Sequence, residues 1–206
     1  MRILIGDDHS VVRKGLIQIL KDAYPFAEII EAADGVDMFK IALKQKFKII
    51  ISDISMPSRN GIDFISELKN AQPETPILIL SIHPAEQYAA RTIKAGASGY
   101  LNKESAPEEL INAVNQLLLG KKYITDEVAD LLLDFKSSNT ASHEMLSNRE
   151  FEVFKLLAAG KSLPEISTKL ALSTNTISTY KIRLLTKMNL KSIADVTKYA
   201  LENHLM

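Results

Sequence analysis

The stretch "IIISDISMPSRNG", residues 49–61, carries a single carboxylate, Asp53, at the end of an apolar, β-branched run and directly before a turn that contains Pro57 and Gly61. An apolar run of this kind is typical of a strand that is buried on both faces of a parallel sheet. In open parallel sheets, ligands bind outside the carboxyl ends of the strands, where the strand order reverses. The stretch therefore predicts an α/β fold with Asp53 at its functional edge.

Short apolar runs recur through the first 120 residues, and each is followed by a longer helical pattern. The runs are RILIG (2–6), AEIIE (27–31), FKIIIS (47–52), PILILS (76–81) and SGYLN (98–102), and the helical patterns cover about residues 10–22, 35–45, 61–71, 85–95 and 107–119. This alternation predicts a flavodoxin-like, doubly wound, five-stranded parallel sheet with strand order 2-1-3-4-5. In "SAPE" (105–108), Ser105 and Glu108 predict a capping box at the fifth helix.

Composition indicates an ordinary globular chain of 206 residues, with 46% hydrophobic and 24% charged residues, which is long enough for two domains. The opening "MRILIGDDHS" has too few apolar residues for a signal peptide, and no apolar run approaches the roughly 18 residues of a membrane span. We therefore expect a cytoplasmic protein without a membrane partner. The chain has no cysteine and four scattered histidines, so neither disulfides nor a zinc site is expected.

The chain is predicted to divide after the fifth helix of the sheet domain. There, one short amphipathic piece, "TDEVADLLLDF" (125–135), is followed by the polar stretch "KSSNTASHE" (136–144). We expect an α/β domain over residues 1–120, a linker with a short helix over 121–144, and a small all-α domain over 145–206.

The second domain has the pattern of four helices and no strands. Capping boxes in "SNRE" (147–150) and "SLPE" (162–165) open two of them, Ser173 is the natural N-cap of a third, and a fourth begins near Ser192. From His143 to the end there are nine Lys and Arg against six Asp and Glu, which leaves 16 against 19 before it. This mildly basic tail permits an anionic partner.

Three carboxylates gather at the functional edge of the predicted sheet. Asp7 and Asp8 end the first strand and Asp53 ends the third, and the strand order 2-1-3-4-5 makes these two strands neighbours. Carboxylates that lie this close repel one another unless a cation neutralises their charge. A hard divalent cation with oxygen ligands, Mg²⁺, is therefore the expected cofactor.

Two further strand ends face the same crevice, because Ser81 follows the fourth strand and Lys103 follows the fifth. A carboxylate can attack phosphorus to give an acyl phosphate, while a metal ion and a lysine hold the phosphoryl oxygens and a hydroxyl donates to one of them. The pattern therefore predicts a phosphoryl site with Asp53 as the acceptor.

Taken alone, each of these residues also fits a structural role. These roles are helix cap (Asp7, Asp8), turn residue (Ser81), solvated lysine (Lys103) and packed core aromatic (Tyr100). His9 and His83 neighbour the predicted site and are interpreted as loop residues. Only the whole constellation favours the chemical interpretation.

The motifs "DD" (7–8), "DISMP" (53–57), Ser81 and "GYLNK" (99–103), in their order and their placement at four strand ends, resemble the receiver domain of two-component response regulators over roughly residues 1–120. The resemblance implies that a histidine kinase phosphorylates Asp53.

The resemblance also implies a role for each remaining site residue. Asp8, Asp53 and the backbone carbonyl of Ser55 would ligate Mg²⁺, and Asp7 would assist through water. Lys103 would contact the phosphoryl group. Ser81 and Tyr100 would act as the switch pair that reports phosphorylation to the surface.

The helix predicted from Thr174 has two different faces. Its apolar face, at helical spacing, consists of Ile177, Leu184 and Met188, flanked by Tyr180 and Leu185. The opposite face is polar with cations at its sides, and it consists of Asn175, Ser178, Thr179, Ile182 and Thr186 with Lys181, Arg183 and Lys187. Hydroxyls and amides can address base edges, cations can address phosphates, and Ile182 can meet a thymine methyl, so this face suits a helix in a major groove. A merely solvated face is the alternative.

The sequence "LSNREFEVFKLLAAGKSLPEISTKLALSTNTISTYKIRLLTKMNLKS", which begins at Leu146, is similar to the LuxR-type helix-turn-helix domain as far as about Leu201. Its pairing with a receiver resembles response regulators of the NarL/FixJ type. The resemblance implies that the helix near Thr174 is the recognition helix, that a helix from about Pro164 to Leu170 precedes it, and that the last helix supplies a dimer face.

The chain departs from this family pattern within the recognition helix. Ser178 and Tyr180 stand where many members carry Lys and His, and the variant "STYK" (178–181) resembles a subgroup that includes BvgA and EvgA. Which side chains touch bases is therefore left open.

The expected function is that of a phosphorylation-activated, DNA-binding transcription regulator that is dimeric when active. Its expected partners are a cognate histidine kinase, promoter DNA, a second copy of itself and RNA polymerase. No dedicated enzymatic activity is expected beyond Mg²⁺-dependent phosphoryl transfer and dephosphorylation at Asp53.

Two alternatives differ in class. Haloacid dehalogenase-type phosphatases also use a strand-end aspartate, but they place a second aspartate two residues on, where this chain has Ser55. A receiver whose helical tail binds a protein partner rather than DNA is the other alternative, and the salt dependence of DNA binding distinguishes it.

Overall fold

In the computed structural model, the chain forms two compact units, Met1–Asp134 and Phe135–Met206. The structure describes residues 1–56, 61–83, 85–125, 128–129 and 142–205. The predicted linker helix at 125–135 falls largely outside these ranges, so it stays a prediction. Within them, no helix has the length and hydropathy to cross a membrane.

A single parallel sheet forms the centre of the first unit. Its strands are β1 (Arg2–Gly6), β2 (Glu28–Ala32), β3 (Ile49–Asp53), β4 (Ile77–Ser81) and β5 (Gly99–Asn102). All neighbours pair in parallel in the order β2-β1-β3-β4-β5, which confirms the predicted topology. In this order, β1 and β3 are neighbours, with β2 on one side of them and β4 and β5 on the other, so the ends of β1 and β3 lie side by side.

Helices cover the sheet on both faces. They are α1 (Ser10–Ala23), α2 (Gly35–Lys44), α3 (Gly61–Ala71), α4 (Ala85–Lys94) and α5 (Ala106–Leu118). Side chains that alternate along β1, β3 and β4 are wholly buried against α1 and α5, whereas α2, α3 and α4 contact one another on the opposite face. Burial on both faces explains why β3 and β4 are almost continuously apolar, whereas the edge strand β2 carries two exposed glutamates.

The capping box predicted for α5 is wrong. Ser105 has helical backbone dihedrals, φ −90° and ψ −5°, and makes no side-chain cap. An N-cap side chain reaches the first-turn N–H groups from an extended backbone, and a helical backbone turns the hydroxyl away from them. The Ser105 hydroxyl instead donates to the carbonyl of Asn102 at 3.2 Å.

The described part of the second unit is entirely helical, as predicted. A short 3-10 helix (Ser142–Met145) is followed by α6 (Asn148–Ala158), α7 (Leu163–Leu170), α8 (Thr174–Lys187) and α9 (Ile193–Glu202). Helix α6 packs against both α8 and α9, and α7 packs against α8. Phe151, Phe154 and Tyr199 form the aromatic part of this core, with Phe154 and Tyr199 edge to face at a centroid distance of 6.1 Å.

Side-chain caps define where these helices begin. Ser147 and Glu150 form the predicted capping box of α6, and the Ser173 hydroxyl accepts from the backbone N–H of Thr176 at the start of α8. At α7, the Glu165 carboxylate accepts from both the backbone N–H (2.9 Å) and the hydroxyl (2.7 Å) of Ser162. These contacts satisfy N–H groups that have no partner inside the helix.

The turn between α7 and α8 depends on one residue in the left-handed region. Ala171 has φ 53° and ψ 43°, a conformation that non-glycine residues rarely adopt. It ends α7 and redirects the chain toward Ser173, so that α8 begins after only three residues.

Candidate functional site

The carboxylates predicted to meet at the ends of β1 and β3 do come together. One ligand atom from each of Asp7, Asp8, His9 and Asp53 lies within 4.8 Å of the others. Asp7 is wholly buried and Asp53 is 3% exposed, whereas Asp8 faces solvent. The juxtaposition follows from the pairing of β1 with β3, which brings residues some 45 positions apart to one edge of the sheet.

Lys103 provides the positive charge of this cluster. Its Nζ lies 2.8 Å from Oδ2 of Asp53, to which it donates, and 2.8 Å from Oδ2 of Asp7. The backbone N–H of Lys103 donates to the carbonyl of Ser81 at 2.8 Å, which holds the lysine at the end of β5. One ammonium therefore bridges the carboxylates that follow β1 and end β3.

The shared burial changes the protonation equilibria of this pair. Burial raises the pKa of Asp53, and the Lys103 hydrogen bond and charge and the Ser55 N–H oppose this rise without cancelling it. Burial acts to lower the pKa of Lys103, but the hydrogen bonds and charges of Asp53 and Asp7 outweigh it and raise that pKa. Lys103 therefore stays charged, and Asp53 is a less solvated and more basic carboxylate than an exposed one.

The acidic cluster fits a hard divalent cation. Asp7, Asp8 and Asp53 bring three carboxylates together, and the described charge that contacts Asp7 and Asp53 is the single ammonium of Lys103. Carboxylate oxygens are the ligands that Mg²⁺ prefers. The backbone N–H of Ser55 donates to Oδ1 of Asp53 at 3.1 Å, so the Ser55 peptide, whose carbonyl the sequence also implicated, lies next to the acceptor.

Ser81 and Tyr100, the predicted switch pair, converge on the backbone of His83. The Ser81 hydroxyl accepts from the His83 N–H at 2.9 Å, and the Tyr100 hydroxyl donates to the His83 carbonyl at 2.7 Å. Both side chains are buried. The loop after β4 is thus held by both members of the pair, and the imidazole of His83 stacks on Tyr88 of α4 at 4.8 Å.

Sequence reasoning missed two residues that belong to the site. His9, interpreted as a loop residue, places Nδ1 at 2.9 Å from Oδ1 of Asp8 and 3.3 Å from Oδ1 of Asp7. Arg13 of α1 donates from Nη1 to the backbone carbonyl of Asp7 at 2.5 Å and pairs through Nε with Glu31 at 3.0 Å. Arg13 lies in α1, directly after the strand end that carries the "DD" motif. An arginine six residues after Asp7 was the signal that the sequence offered.

The predicted reading face of α8 is exposed, and its opposite face is buried. Ile177 and Leu184 are wholly buried, whereas Ile182 is 64% exposed. Of the predicted DNA-contacting residues, those fully at the surface are Asn175, Thr179, Ile182, Arg183, Thr186 and Lys187, and those half-buried are Ser178 and Lys181. An exposed isoleucine of this size among polar groups is consistent with a face that contacts a partner.

Hydrogen bonds within the second unit limit what this face offers. The Thr179 and Thr186 hydroxyls donate to the carbonyls of Asn175 and Ile182 at 3.0 Å each, so both hydroxyl hydrogens are used within the helix. Lys187, predicted to bind phosphate, donates to the buried carboxylate of Glu150 at 2.6 Å. Lys187 therefore already neutralises a charge within its own unit.

Two family models match the chain, one for each unit. Residues 3–115 match the response regulator receiver domain, and residues 144–200 match the bacterial regulatory proteins of the luxR family. The first match contains every residue of the acidic cluster and Lys103, and the second contains α6 to α8 and most of α9.

Two relatives match this chain over nearly their whole length. The oxygen regulatory protein NreC of Staphylococcus epidermidis is 35% identical over 216 residues, covering 100% of this chain and 99% of that protein. NreC of Staphylococcus carnosus is 34% identical over 215 residues with the same coverage.

Solved structures agree with both units. RcsB from Salmonella enterica serovar Typhimurium, bound to the promoter rprA in the presence of the phosphomimetic BeF₃⁻, has a TM-score of 0.69 and 25% identity over 97% of each chain. A second RcsB structure has a TM-score of 0.60 and 27% identity over 98% of this chain. The chain therefore belongs to the response regulators of the NarL/FixJ type, and it is a phosphorylation-dependent transcription regulator with a LuxR-type DNA-binding domain rather than a dedicated enzyme.

Proposed function

We propose that a histidine kinase phosphorylates Asp53, and that the phosphorylated chain dimerises and binds promoter DNA through α8. The observation that carries the proposal is the contact of Lys103 with both Asp53 and Asp7 at 2.8 Å beside an exposed third carboxylate. This arrangement combines a nucleophile, a cation for the incoming phosphoryl oxygens and a set of oxygen ligands at one strand edge.

The transfer step uses Asp53 as the nucleophile. A carboxylate oxygen of Asp53 forms a bond to phosphorus while the phosphorus–nitrogen bond of the kinase phosphohistidine breaks, and the departing imidazole keeps the electron pair and takes up a proton. The Ser55 N–H holds Oδ1 of Asp53, and Lys103 faces Oδ2. Lys103 is therefore positioned to stabilise the negative charge of the phosphoryl oxygens once the group is transferred to Asp53.

Asp8, Asp53 and the Ser55 carbonyl would hold Mg²⁺, with Asp7 acting through water. When bound, the ion supplies positive charge that screens the carboxylates and the phosphoryl oxygens. Asp7 also keeps Lys103 in place through the 2.8 Å ion pair, and Arg13 fixes the Asp7 backbone from α1. These contacts support a site whose geometry is ready before the phosphoryl group arrives.

The switch would run through the backbone of His83. A Ser81 hydroxyl that turns to donate to a phosphoryl oxygen gives up the hydrogen bond that it accepts from His83 N–H. Of the two contacts on His83, only the hydrogen bond from the Tyr100 hydroxyl then remains, and the start of α4 can shift. Such a shift changes the surface around α4 and β5 and so connects Asp53 to dimerisation.

DNA binding would use the outward face of α8. Thr179 and Ile182 present methyl groups and oxygen lone pairs suited to base edges, and Arg183 contributes cationic contact with phosphates. RcsB, which shares the fold, has been solved as dimers on DNA. A two-fold dimer imposes two-fold symmetry on its operator, so we expect paired half-sites and, at the promoter, contact with RNA polymerase.

Phosphoacceptor identity is tested by labelling with a small phosphodonor and Mg²⁺. Asp53→Asn should abolish the acid-stable, hydroxylamine-sensitive label, because Asp53 is the carboxylate that both Lys103 and the Ser55 N–H contact. Asp22→Asn, which removes an exposed carboxylate of α1, is the matched control and should label like the native chain. Label that persists on Asp53→Asn would refute the assignment.

The switch is tested separately with Ser81→Ala. This variant should still accept the phosphoryl group at Asp53, yet the gain in DNA affinity on phosphorylation should fall, by up to about 150-fold if the whole coupling passes through Ser81. Fluorescence anisotropy of labelled promoter DNA, with and without phosphodonor, measures this gain. If phosphorylation increases the DNA affinity of Ser81→Ala as much as that of the native chain, the switch lies elsewhere.

A further inference from the structure

The predicted linker does not leave the first unit where α5 ends. Five residues beyond the end of α5, Tyr123 lies beside the start of β5 and forms a parallel bridge with Gly99. The backbone N–H of Tyr123 donates to the carbonyl of Ser98 at 3.0 Å. Because β4 occupies the other side of β5, the first residues of the linker extend the sheet at its β5 edge.

The side chain of Tyr123 is part of the core of the first unit. The residue is 7% exposed and belongs to the same hydrophobic cluster as Leu101 of β5 and Ala113 of α5. Its hydroxyl donates to Oε2 of Glu109 in α5 at 2.6 Å. Burial and the neighbouring Glu109 raise the pKa of Tyr123 to about 12, so the hydroxyl keeps its proton and remains a donor near neutral pH. One side chain thus joins the start of the linker to both β5 and α5.

Gly99 leaves the space that this contact occupies. A Cβ atom at residue 99 would lie 3.0 Å from both the Cβ and the carbonyl oxygen of Tyr123, which is closer than ordinary van der Waals contact. A glycine in a strand often marks a position where another backbone approaches closely. Tyr123, with its contacts to Ser98, Gly99 and Glu109, is called the linker anchor below.

A second buried residue follows the anchor in the linker. The Ala129 N–H donates to the carbonyl of Thr125 at 2.9 Å, so a helical turn begins at Thr125. Val128, within this turn, is 1% exposed. The start of the linker is therefore packed in the fold rather than surrounded by solvent.

The linker anchor adjoins the switch pair. Gly99 directly precedes Tyr100, whose hydroxyl donates to the His83 carbonyl at 2.7 Å. Strand β5 has only four residues, and Gly99 pairs with Leu78 of β4 on one side and with Tyr123 on the other. A shift of β5 that follows phosphorylation therefore moves Gly99 and, with it, the anchored start of the linker.

We propose that Tyr123 is a positioning residue that transmits the conformational change at Asp53 to the second unit, because it fixes the start of the linker to β5 and α5. Coupling between distant sites is carried by packed side chains and hydrogen bonds that connect rigid elements, and the linker is the covalent connection between the two units. A linker whose start is detached from the sheet does not follow a movement of β5. The inference rests on the proposed function, since it requires that phosphorylation of Asp53 increase the affinity for DNA.

The coupling is tested with full-length variants on a DNA duplex that the phosphorylated native chain selects from a random pool. The measured quantity is the increase in affinity for this duplex when acetyl phosphate and Mg²⁺ are added. Tyr123→Phe keeps the ring and removes the hydrogen bond to Glu109, so the increase should fall by about two- to tenfold, the range that one net hydrogen bond is worth. Tyr123→Ala also removes the ring, and the increase should fall further.

Tyr24→Phe is the matched control. The Tyr24 hydroxyl also donates to a side chain of α5, Oδ1 of Asn115, at 2.8 Å, and Tyr24 packs against the same core cluster. Tyr24 follows α1 rather than α5, so it does not hold the linker. This variant should lose a comparable hydrogen bond and keep the native increase in affinity, and all the variants should label at Asp53 like the native chain.

The linker anchor itself is tested without a phosphodonor. Tyr123→Ala should speed amide hydrogen exchange over residues 121–125, because the N–H that donates to Ser98 is released, whereas Tyr24→Phe should leave exchange there unchanged. Native exchange rates over these residues in Tyr123→Ala would overturn the proposal.

The outcomes separate this proposal from the proposed function. An increase in affinity of Tyr123→Phe equal to that of the native chain, an equal fall in Tyr24→Phe, or loss of labelling at Asp53 in Tyr123→Phe would each refute the role of Tyr123. If the native chain itself neither labels at Asp53 nor gains affinity for DNA, the proposed function is wrong.

Discussion

The receiver site and the recognition helix place their polar groups in opposite environments. At the receiver site, Asp7, Asp53 and Lys103 are largely withdrawn from solvent and bound to one another across three strand ends. On α8, most of the predicted reading residues are exposed, and the hydroxyls of Thr179 and Thr186 donate to carbonyls one helical turn away.

This difference separates two ways of using charge. Buried charges change one another's pKa and link stability to function, because removing one leaves the others uncompensated. Exposed groups cost little to replace in the free protein and act only when a partner arrives. We therefore expect substitutions in the receiver site to alter folding and activity together, and substitutions of exposed, unburied-face residues of α8 such as Ile182 to alter binding alone.

The largest effect is expected from Lys103→Met. Removing the ammonium leaves Asp7 and Asp53 facing each other in a buried site, so the free energy of unfolding should fall by about 3–5 kcal/mol at neutral pH. Urea denaturation measures this fall. Lys48→Met, at an exposed lysine before β3, is the control and should change stability by less than about 0.5 kcal/mol.

The pH dependence sharpens this first test. The folded pKa of Lys103 is raised, so its stabilising contribution is complete below the ordinary lysine pKa and is lost as pH rises through the folded value. The folded pKa of Asp53 is also raised and should rise further in the variant, so acidification should return part of the lost stability. A deficit that is the same from pH 5 to pH 11 would argue against a coupled buried pair.

Glu150→Gln tests whether a buried charge in the second unit behaves like the receiver site. Glu150 is 3% exposed and accepts from Lys187 at 2.6 Å and from the Ser147 N–H. Its replacement should cost about 1.5–3 kcal/mol, seen as faster amide hydrogen exchange in α6 and α8. Glu202→Gln, which loses only an exposed ion pair with Lys198, is the control.

The sign of the pH effect at Glu150 is the reverse of that at Lys103. Burial acts to raise the pKa of Glu150, but the hydrogen bonds from Lys187 and Ser147 outweigh it and lower the pKa. The stabilisation is therefore present above the ordinary glutamate pKa and disappears as pH falls through the folded value. The difference in exchange rates between native chain and variant should accordingly vanish in acid, and a difference that grows there would contradict the ion pair.

Ile182→Ala tests the exposed reading face. The variant should lose about 1–3 kcal/mol of affinity for the specific promoter and far less for random DNA, with native thermal stability. Leu43→Ala in α2 removes an aliphatic side chain that is 62% exposed, against 64% for Ile182, and should change neither affinity. Equal losses on both DNAs, or DNA affinity that does not fall with salt, would favour a tail that binds protein instead.

The smallest effect is expected at Ala171→Gly, in the turn between α7 and α8. Glycine adopts φ near 53° without the steric strain of alanine, so the free energy of unfolding should rise by up to about 1 kcal/mol. The greater conformational entropy of glycine in the unfolded chain offsets part of this gain. A small rise in Tm with unchanged DNA affinity is the expected result. A loss of stability would show that the packing of the Ala171 methyl stabilises the fold.

Much of the fold could be predicted because it depends on periodic patterns. Short apolar runs identified all the strands of the described sheet, and their alternation with helices led to the order β2-β1-β3-β4-β5. Helix caps were less predictable. The motif at Ser147 formed its capping box, whereas the same type of motif at Ser105 did not, because the backbone there was already helical.

By itself, the sequence determined the two units, the parallel sheet, the strand-end position of Asp53, Asp7 and Lys103, and the buried and exposed faces of α8. These features follow from local periodicity and from the rule that parallel strands end at one edge. Only the tertiary structure decided that Lys103 bridges Asp7 and Asp53, that Ser81 and Tyr100 meet on His83, and that Lys187 is paired with Glu150. These contacts join residues that are far apart in the sequence, and they depend on interatomic distances and angles that no local sequence pattern specifies.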